Sequence, residues 1–133
     1  MKALKSKVTN GVQFGSYVPT CDNSGAKIAK IITVMGAKTV KSRYSSGGVG
    51  SLVQVAVKKG TKDVQAQVFF AVVVRQRREY RRPNGMRIKF EDNAAIILKD
   101  DKRTPKGTIF KGPIAKEACE RWPGIAKVAR IVV

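Results

Sequence analysis

Two short apolar runs, VFFAVVV at 68–74 and AAIIL at 94–98, bracket the most basic stretch of the chain, RQRREYRRPNGMRIK at 75–89. Each run reads as a buried strand, so the pair anchors whatever lies between them, and the arginines are held rather than floating. The stretch carries seven Arg or Lys against one acid, Glu79. Inside it, Pro83-Asn84-Gly85 signals a hairpin, because Asn and Gly tolerate the positive φ of a short reversal. On the return limb Ile88 and Phe90 point one way while Arg87 and Lys89 point the other, as the two-residue strand period demands.

The remaining elements are also β until near the C-terminus. A polar, basic lead-in at 2–10 precedes a fold that starts near Tyr17, and Asp22-Asn23-Ser24-Gly25 crowds a tight turn. A strand follows at 27–35, with Ile28, Ile31, Ile32 and Val34. After Gly36, a segment with Lys38, Lys41, Arg43 and Tyr44 ends in Ser45-Ser46-Gly47-Gly48 and reads as a second mobile basic loop. The SGGVGS motif at 46–51 lacks the lysine of a phosphate loop and leads into a strand, so it reads as a flexible turn. LVQVAV at 52–57 alternates as a half-buried strand, and KKGTKD at 58–63 turns the chain. Residues 100–106 are polar. Pro113 then opens a helix whose Ile114, Ala115, Ala118, Cys119 and Trp122 share one stripe, and Pro123-Gly124 ends it. Residues 125–133 fit either a helix or a strand. Short strands joined by turns, without crossover helices, predict a small closed five-stranded antiparallel barrel with a hairpin extension and a short C-terminal helical segment. The expected division is one domain: lead-in at 1–14, barrel with basic loops at 15–104, helical segment at 105–133.

Charge narrows the partner. The 133 residues hold 27 Lys and Arg against 9 Asp and Glu, a net +18 that favours a polyanion, with nucleic acid the default. An anionic membrane is set aside because the longest apolar run is seven residues. The N-terminus has charge without a following apolar stretch, so neither a signal nor a membrane span is expected and the compartment reads as cytoplasm. With no His, the commonest general base and zinc ligand are absent. Glu91-Asp92 and Asp100-Asp101 read as turn residues, since strand neighbours point to opposite faces and do not converge on a substrate. Cys21 and Cys119 read as reduced packing residues. Neither a cofactor nor a metal site is expected.

The lysines at 2, 5, 7, 58 and 59 serve equally well as a solvated surface or as contacts. The arginines differ, because a planar guanidinium suits bidentate phosphate contact and base stacking. Tyr80, among them, either stacks on a base or covers the apolar face of the hairpin.

With these residues in view the chain resembles a ribosomal family, the universal fourteenth protein of the large subunit in its archaeal and eukaryotic style. The family pattern is met by Ala71-Val72-Val73-Val74, Asn84-Gly85, Phe90, Asn93 and Ile96-Ile97, with Ile96 where Val is usual. Two further signatures follow the expected order: Asp22-Asn23-Ser24-Gly25-Ala26, and Pro105-Lys106-Gly107-Thr108 with Gly112-Pro113-Ile114-Ala115. The likeness covers nearly the whole chain. It implies a five-stranded barrel that binds large-subunit rRNA, with Mg²⁺ present only as an rRNA counterion. It also implies contact with the third large-subunit protein and a neighbour of the twenty-fourth-protein type, bridges to small-subunit rRNA, and a C-terminal surface where a subunit anti-association factor docks.

The expected rRNA-binding residues are Lys38, Lys41, Arg43, Arg75, Arg77, Arg78, Arg81, Arg82, Arg87 and Lys89. The expected protein-docking residues are Lys116, Glu117, Glu120 and Arg121, with Trp122 half packed at an edge, although an amphipathic stripe of this kind more often packs on its own domain. The alternative is a free-standing barrel that binds single-stranded RNA through several exposed aromatics, for which Tyr80 and Tyr44 are the candidates.

Overall fold

The computed structural model describes residues 1–99 and 104–133. The expected Asp100-Asp101 pair lies outside the described residues. The elements are β1 (Val12–Gln13), β2 (Tyr17–Pro19), β3 (Ala26–Val34), β4 (Ser46–Gly47), β5 (Leu52–Gly60), β6 (Val68–Arg75), β7 (Tyr80–Arg81), β8 (Arg87–Ile88), β9 (Ala94–Ile97), α1 (Lys116–Arg121) and α2 (Pro123–Val128).

One antiparallel sheet in the order β2-β3-β5-β6-β9 makes the body of the protein. It curls into a half-barrel whose outer strands meet at a narrow seam. There Thr20 pairs with Ala95 in a single parallel bridge, the Cys21 N–H donates to the Ala95 carbonyl at 3.1 Å, and Asp22 Oδ2 accepts from the Ile97 N–H at 3.0 Å. A carboxylate thus replaces a backbone acceptor where the ladder ends. Burial raises the Asp22 pKa, while bonds from Ser24 and Ile97 hold the charged form. The closed antiparallel barrel expected from sequence is therefore a curled antiparallel sheet joined at a parallel seam.

Period-two alternation explains why β6 is apolar from Val68 to Val74. Ala71 and Val73 face the interior of the curl with Val18, Ile31, Val55 and Ile97, whereas Val72 and Val74 face a second core with Phe110, Ile114, Trp122 and Ile125. Both faces of the strand are covered from Ala71 to Val74, where every residue is apolar.

The C-terminal segment differs from the single helix expected between Pro113 and Trp122. Residues 113–115 run extended, α1 begins at Lys116, and Pro123 opens α2 at its first position instead of ending the helical region. The open choice at 125–133 resolves as both: α2 first, then a short pairing of Val132 with Ile114. The Ile114 N–H donates to the Ile131 carbonyl and the Val133 N–H to the Ile114 carbonyl, each at 2.9 Å. Nor is SGGVGS a flexible turn. Ser46 and Gly47 pair with β1, Gly47 to Gly50 are buried, and the Val49 N–H donates to Gln76 Oε1 at 3.0 Å.

Candidate nucleic-acid interface

The basic stretch forms a hairpin. Tyr80 pairs with Ile88 and Arg81 with Arg87, and the Arg82 N–H donates to the Met86 carbonyl at 2.8 Å. Gly85 takes φ +88°, which a β-carbon would disfavour, and Asn84 Oδ1 accepts from the Met86 N–H at 3.0 Å. The base of the hairpin is tied down as well. Asn93 Oδ1 accepts from the Arg77 N–H at 2.8 Å, and the Phe90 N–H donates to the Gln76 carbonyl at 3.0 Å.

Five of the cations expected on this hairpin point outward: Arg77, Arg78, Arg81, Arg87 and Lys89 are exposed. Arg78 Nη1 also donates to the Asn10 carbonyl at 3.1 Å, which steadies it without covering it. Arg81 and Arg87 sit directly opposite each other across the two strands. Like charges in that register repel, so the pair is favourable only beside a counter-charge.

Arg75 and Arg82 are turned inward instead. A register shift between Val73 and Arg75 re-aims the end of β6, leaving Arg75 buried. Its guanidinium donates to both Asp92 oxygens at 3.0 and 3.2 Å and to the carbonyls of Lys111 and Pro113 at 2.9 and 3.0 Å. A β-carbon on Gly112 would lie 2.7 Å from Arg75 Nη1, so the Gly-Pro pair at 112–113 shapes this socket. Arg82 donates to Glu117 Oε1 from Nε at 2.8 Å and to the Val133 carbonyl from Nη2 at 2.5 Å. Burial opposes the Arg82 charge, but the Glu117 carboxylate outweighs it and raises the pKa. Neither arginine has a guanidinium left for a bidentate phosphate contact.

Tyr80 covers rather than stacks. It is buried, and its phenol donates to Glu117 Oε2 at 2.8 Å. Burial, reinforced by Glu117, drives its pKa above the ordinary value. Gln76, which drew no attention in the sequence, is fully buried. Its amide donates to the carbonyls of Thr9 and Arg78 at 2.9 Å each, binding the lead-in to the hairpin base. One signal was available: Gln76 is the lone uncharged polar residue between strand and arginines.

Lys38, Lys41 and Arg43 are all exposed on the second basic segment, and Arg43 Nε donates to the Val40 carbonyl at 3.1 Å. Of the residues expected to dock a protein, Lys116 and Glu120 are exposed and 3.8 Å apart along one helical turn. Glu117 and Trp122 are not. Glu117 is 7% exposed, and Trp122 is 2% exposed with its Nε1–H on the Gly50 carbonyl at 2.9 Å. Arg121 is half-buried over the lead-in, where its carbonyl accepts from the Lys2 N–H at 2.8 Å. The helical stripe therefore packs on its own domain.

Residues 11–133 match the family model described as ribosomal protein L14p/L23e. Three archaeal relatives, each named large ribosomal subunit protein uL14, align over the full length of both chains. They come from Nanoarchaeum equitans at 52% identity, Halorubrum lacusprofundi at 50% and Methanothrix thermoacetophila at 44%. At that coverage and identity, with the family's motif residues standing on β6, the hairpin turn and β9, this chain belongs to the L14p/L23e family of ribosomal proteins.

Proposed function

We propose that this chain is a structural, non-enzymatic component of the large ribosomal subunit that binds large-subunit rRNA through its hairpin. The carrying observation is the directly opposed Arg81 and Arg87 on a hairpin whose base is rigidly bonded. That arrangement is unfavourable in isolation and becomes favourable against a phosphate backbone. Arg77, Arg78 and Lys89 extend the same exposed surface. Arg75 and Arg82 hold the hairpin in place and do not contact RNA.

Around that core role, the finer parts of the reading follow the family. Neighbours are the third and the twenty-fourth-type large-subunit proteins, with bridges to small-subunit rRNA and Mg²⁺ as an rRNA counterion. The subunit anti-association factor meets the exposed Lys116 and Glu120 side of α1. The place of action is the cytoplasmic ribosome.

The test is co-sedimentation with large subunits through high salt. Wild-type chain should remain bound, and the triple variant Arg77→Ala, Arg78→Ala, Arg81→Ala should be released at lower salt. Equal retention of the two proteins would overturn the assignment of the hairpin to RNA.

A further inference from the structure

Of the nine aromatic residues in the chain, six are buried or half-buried, and the three exposed ones are Phe14 and Tyr44, which stack on each other, and Tyr17, three residues beyond Phe14 on the outer strand β2. We infer that this surface is a second RNA contact, a stacking platform for an unpaired nucleotide whose flanking phosphates meet Lys38, Lys41 and Arg43. The inference rests on the reading that the chain binds rRNA, and it assigns the contact to a surface remote in sequence from the hairpin.

Backbone bonds fix the platform. β1 pairs with β4, and the Phe14 N–H donates to the Ser45 carbonyl at 3.0 Å, which brings Phe14 beside Tyr44. Their rings lie 5.7 Å apart between centroids and 21° from parallel, an offset stack. The chain turns at Gly15, φ +83°, whose N–H donates to the Ile31 carbonyl at 2.9 Å. The Ile31 N–H returns to the Ser16 carbonyl at 2.9 Å, setting Tyr17 opposite Lys30. Lys30 Nζ stands 5.7 Å from the Tyr17 ring centroid. Phe14 remains 46% exposed, Tyr17 60% and Tyr44 67%, so all three side chains stay open to water.

The surrounding charge is of one sign. Residues 1–21 and 23–62 contain no Asp or Glu, and together they supply every strand and loop that builds the platform. Lys41 and Ser42 both adopt φ 58°, a left-handed conformation uncommon for residues with a β-carbon, in the loop that carries the cations. An acidic peptide would answer the charge alone. A single-stranded nucleotide answers both features, since it brings a phosphate for the cations and a π-face for the rings.

The experiment measures binding of the full chain to labelled RNA, either a single strand of about eight nucleotides or a duplex of equal length, by fluorescence anisotropy. The double variant Phe14→Leu, Tyr44→Leu should weaken single-strand binding about tenfold while leaving duplex affinity within about twofold. Phe14→Tyr with Tyr44→Phe should bind as wild type. Tyr17→Leu leaves the Phe14–Tyr44 stack untouched and should weaken the single strand about fivefold, so the platform is tested even if the double variant loosens its loop. Unchanged single-strand affinity in both Leu variants overturns the inference, as does an equal loss on both RNAs. Wild-type RNA affinity combined with failure to enter subunits would assign the patch to a protein neighbour and also overturn it. The hairpin triple variant separates the two readings: its duplex affinity falls if the chain binds rRNA, whatever the platform does.

Discussion

Tyr80 and Glu117, 37 positions apart, meet in the interior, where the phenol donates to Glu117 Oε2 at 2.8 Å. Glu117 Oε1 accepts from Arg82 Nε at the same distance. One carboxylate on α1 therefore holds two residues of the outgoing limb of the hairpin, so the short helix and the basic hairpin share one buried polar junction. A buried pair that loses one partner leaves an uncompensated charge behind, which makes this junction sensitive to substitution.

Glu117→Lys should destabilise the fold by about 3 kcal/mol or more, because it sets a second cation against Arg82 in a buried site. Glu120→Lys, one turn away in solvent, should stay within about 0.5 kcal/mol of wild type. Urea unfolding of the two variants checks the contrast. Similar midpoints would show that the Glu117 junction contributes little.

Binding of rRNA should be steeply salt-dependent. Removing Arg77, Arg78 and Arg81 should flatten the slope of log affinity against log salt by about three units if each meets one duplex phosphate, at about 0.9 per phosphate. Arg75→Ala should instead lower stability by about 2 kcal/mol, since it removes the donor to the carbonyls of Lys111 and Pro113, with little direct effect on the slope. Titrations at several salt concentrations, alongside thermal melts, separate the two classes of arginine.

Gly85→Val should cost about 1–2 kcal/mol locally, because a β-branched residue resists φ +88° while nothing crowds a new β-carbon there. Gly85→Asn should cost less. Hydrogen exchange should lose protection in β7 and β8 but keep it in β6 and β9, and loss across the whole sheet would make the turn part of the global fold.

Burial pushes the Cys21 thiol up to about 12 from its ordinary 9.0, against the opposing pull of the Arg75 charge. Below pH 9 folded and unfolded chains both hold this proton, so its contribution to stability is complete. Between 9 and about 12 only the unfolded thiol ionises, and stability should fall as pH rises. Cys21→Ala should remove that part of the alkaline decline. Parallel denaturation curves for the two proteins across that range would contradict the assignment.

Much of the fold was legible because it depends on local periodicity. The apolar runs at 68–74 and 94–98, the Asn84-Gly85 turn and the alternation at 52–57 each state a strand or a reversal within a few residues. Net charge, the lack of His and the ordered family motifs likewise need no coordinates. What periodicity cannot supply is the partner of a long side chain. Arg75 and Arg77 look alike in sequence, yet a one-residue register shift sends Arg75 to Asp92 and the carbonyls of Lys111 and Pro113 while Arg77 stays in water. Glu117 and Trp122 carry the signature of an amphipathic edge, but the arrival of Arg82, Tyr80 and the Gly50 carbonyl from distant strands buries them. Phe14 and Tyr44 become a stacked pair only once β1 meets β4. Local sequence thus determined which segments are strands and where charge accumulates. Sheet curling and long-range pairing decided which charges are buried inside and which remain for a ligand, because burying a charge is favourable only where a distant chain segment supplies its counterpart.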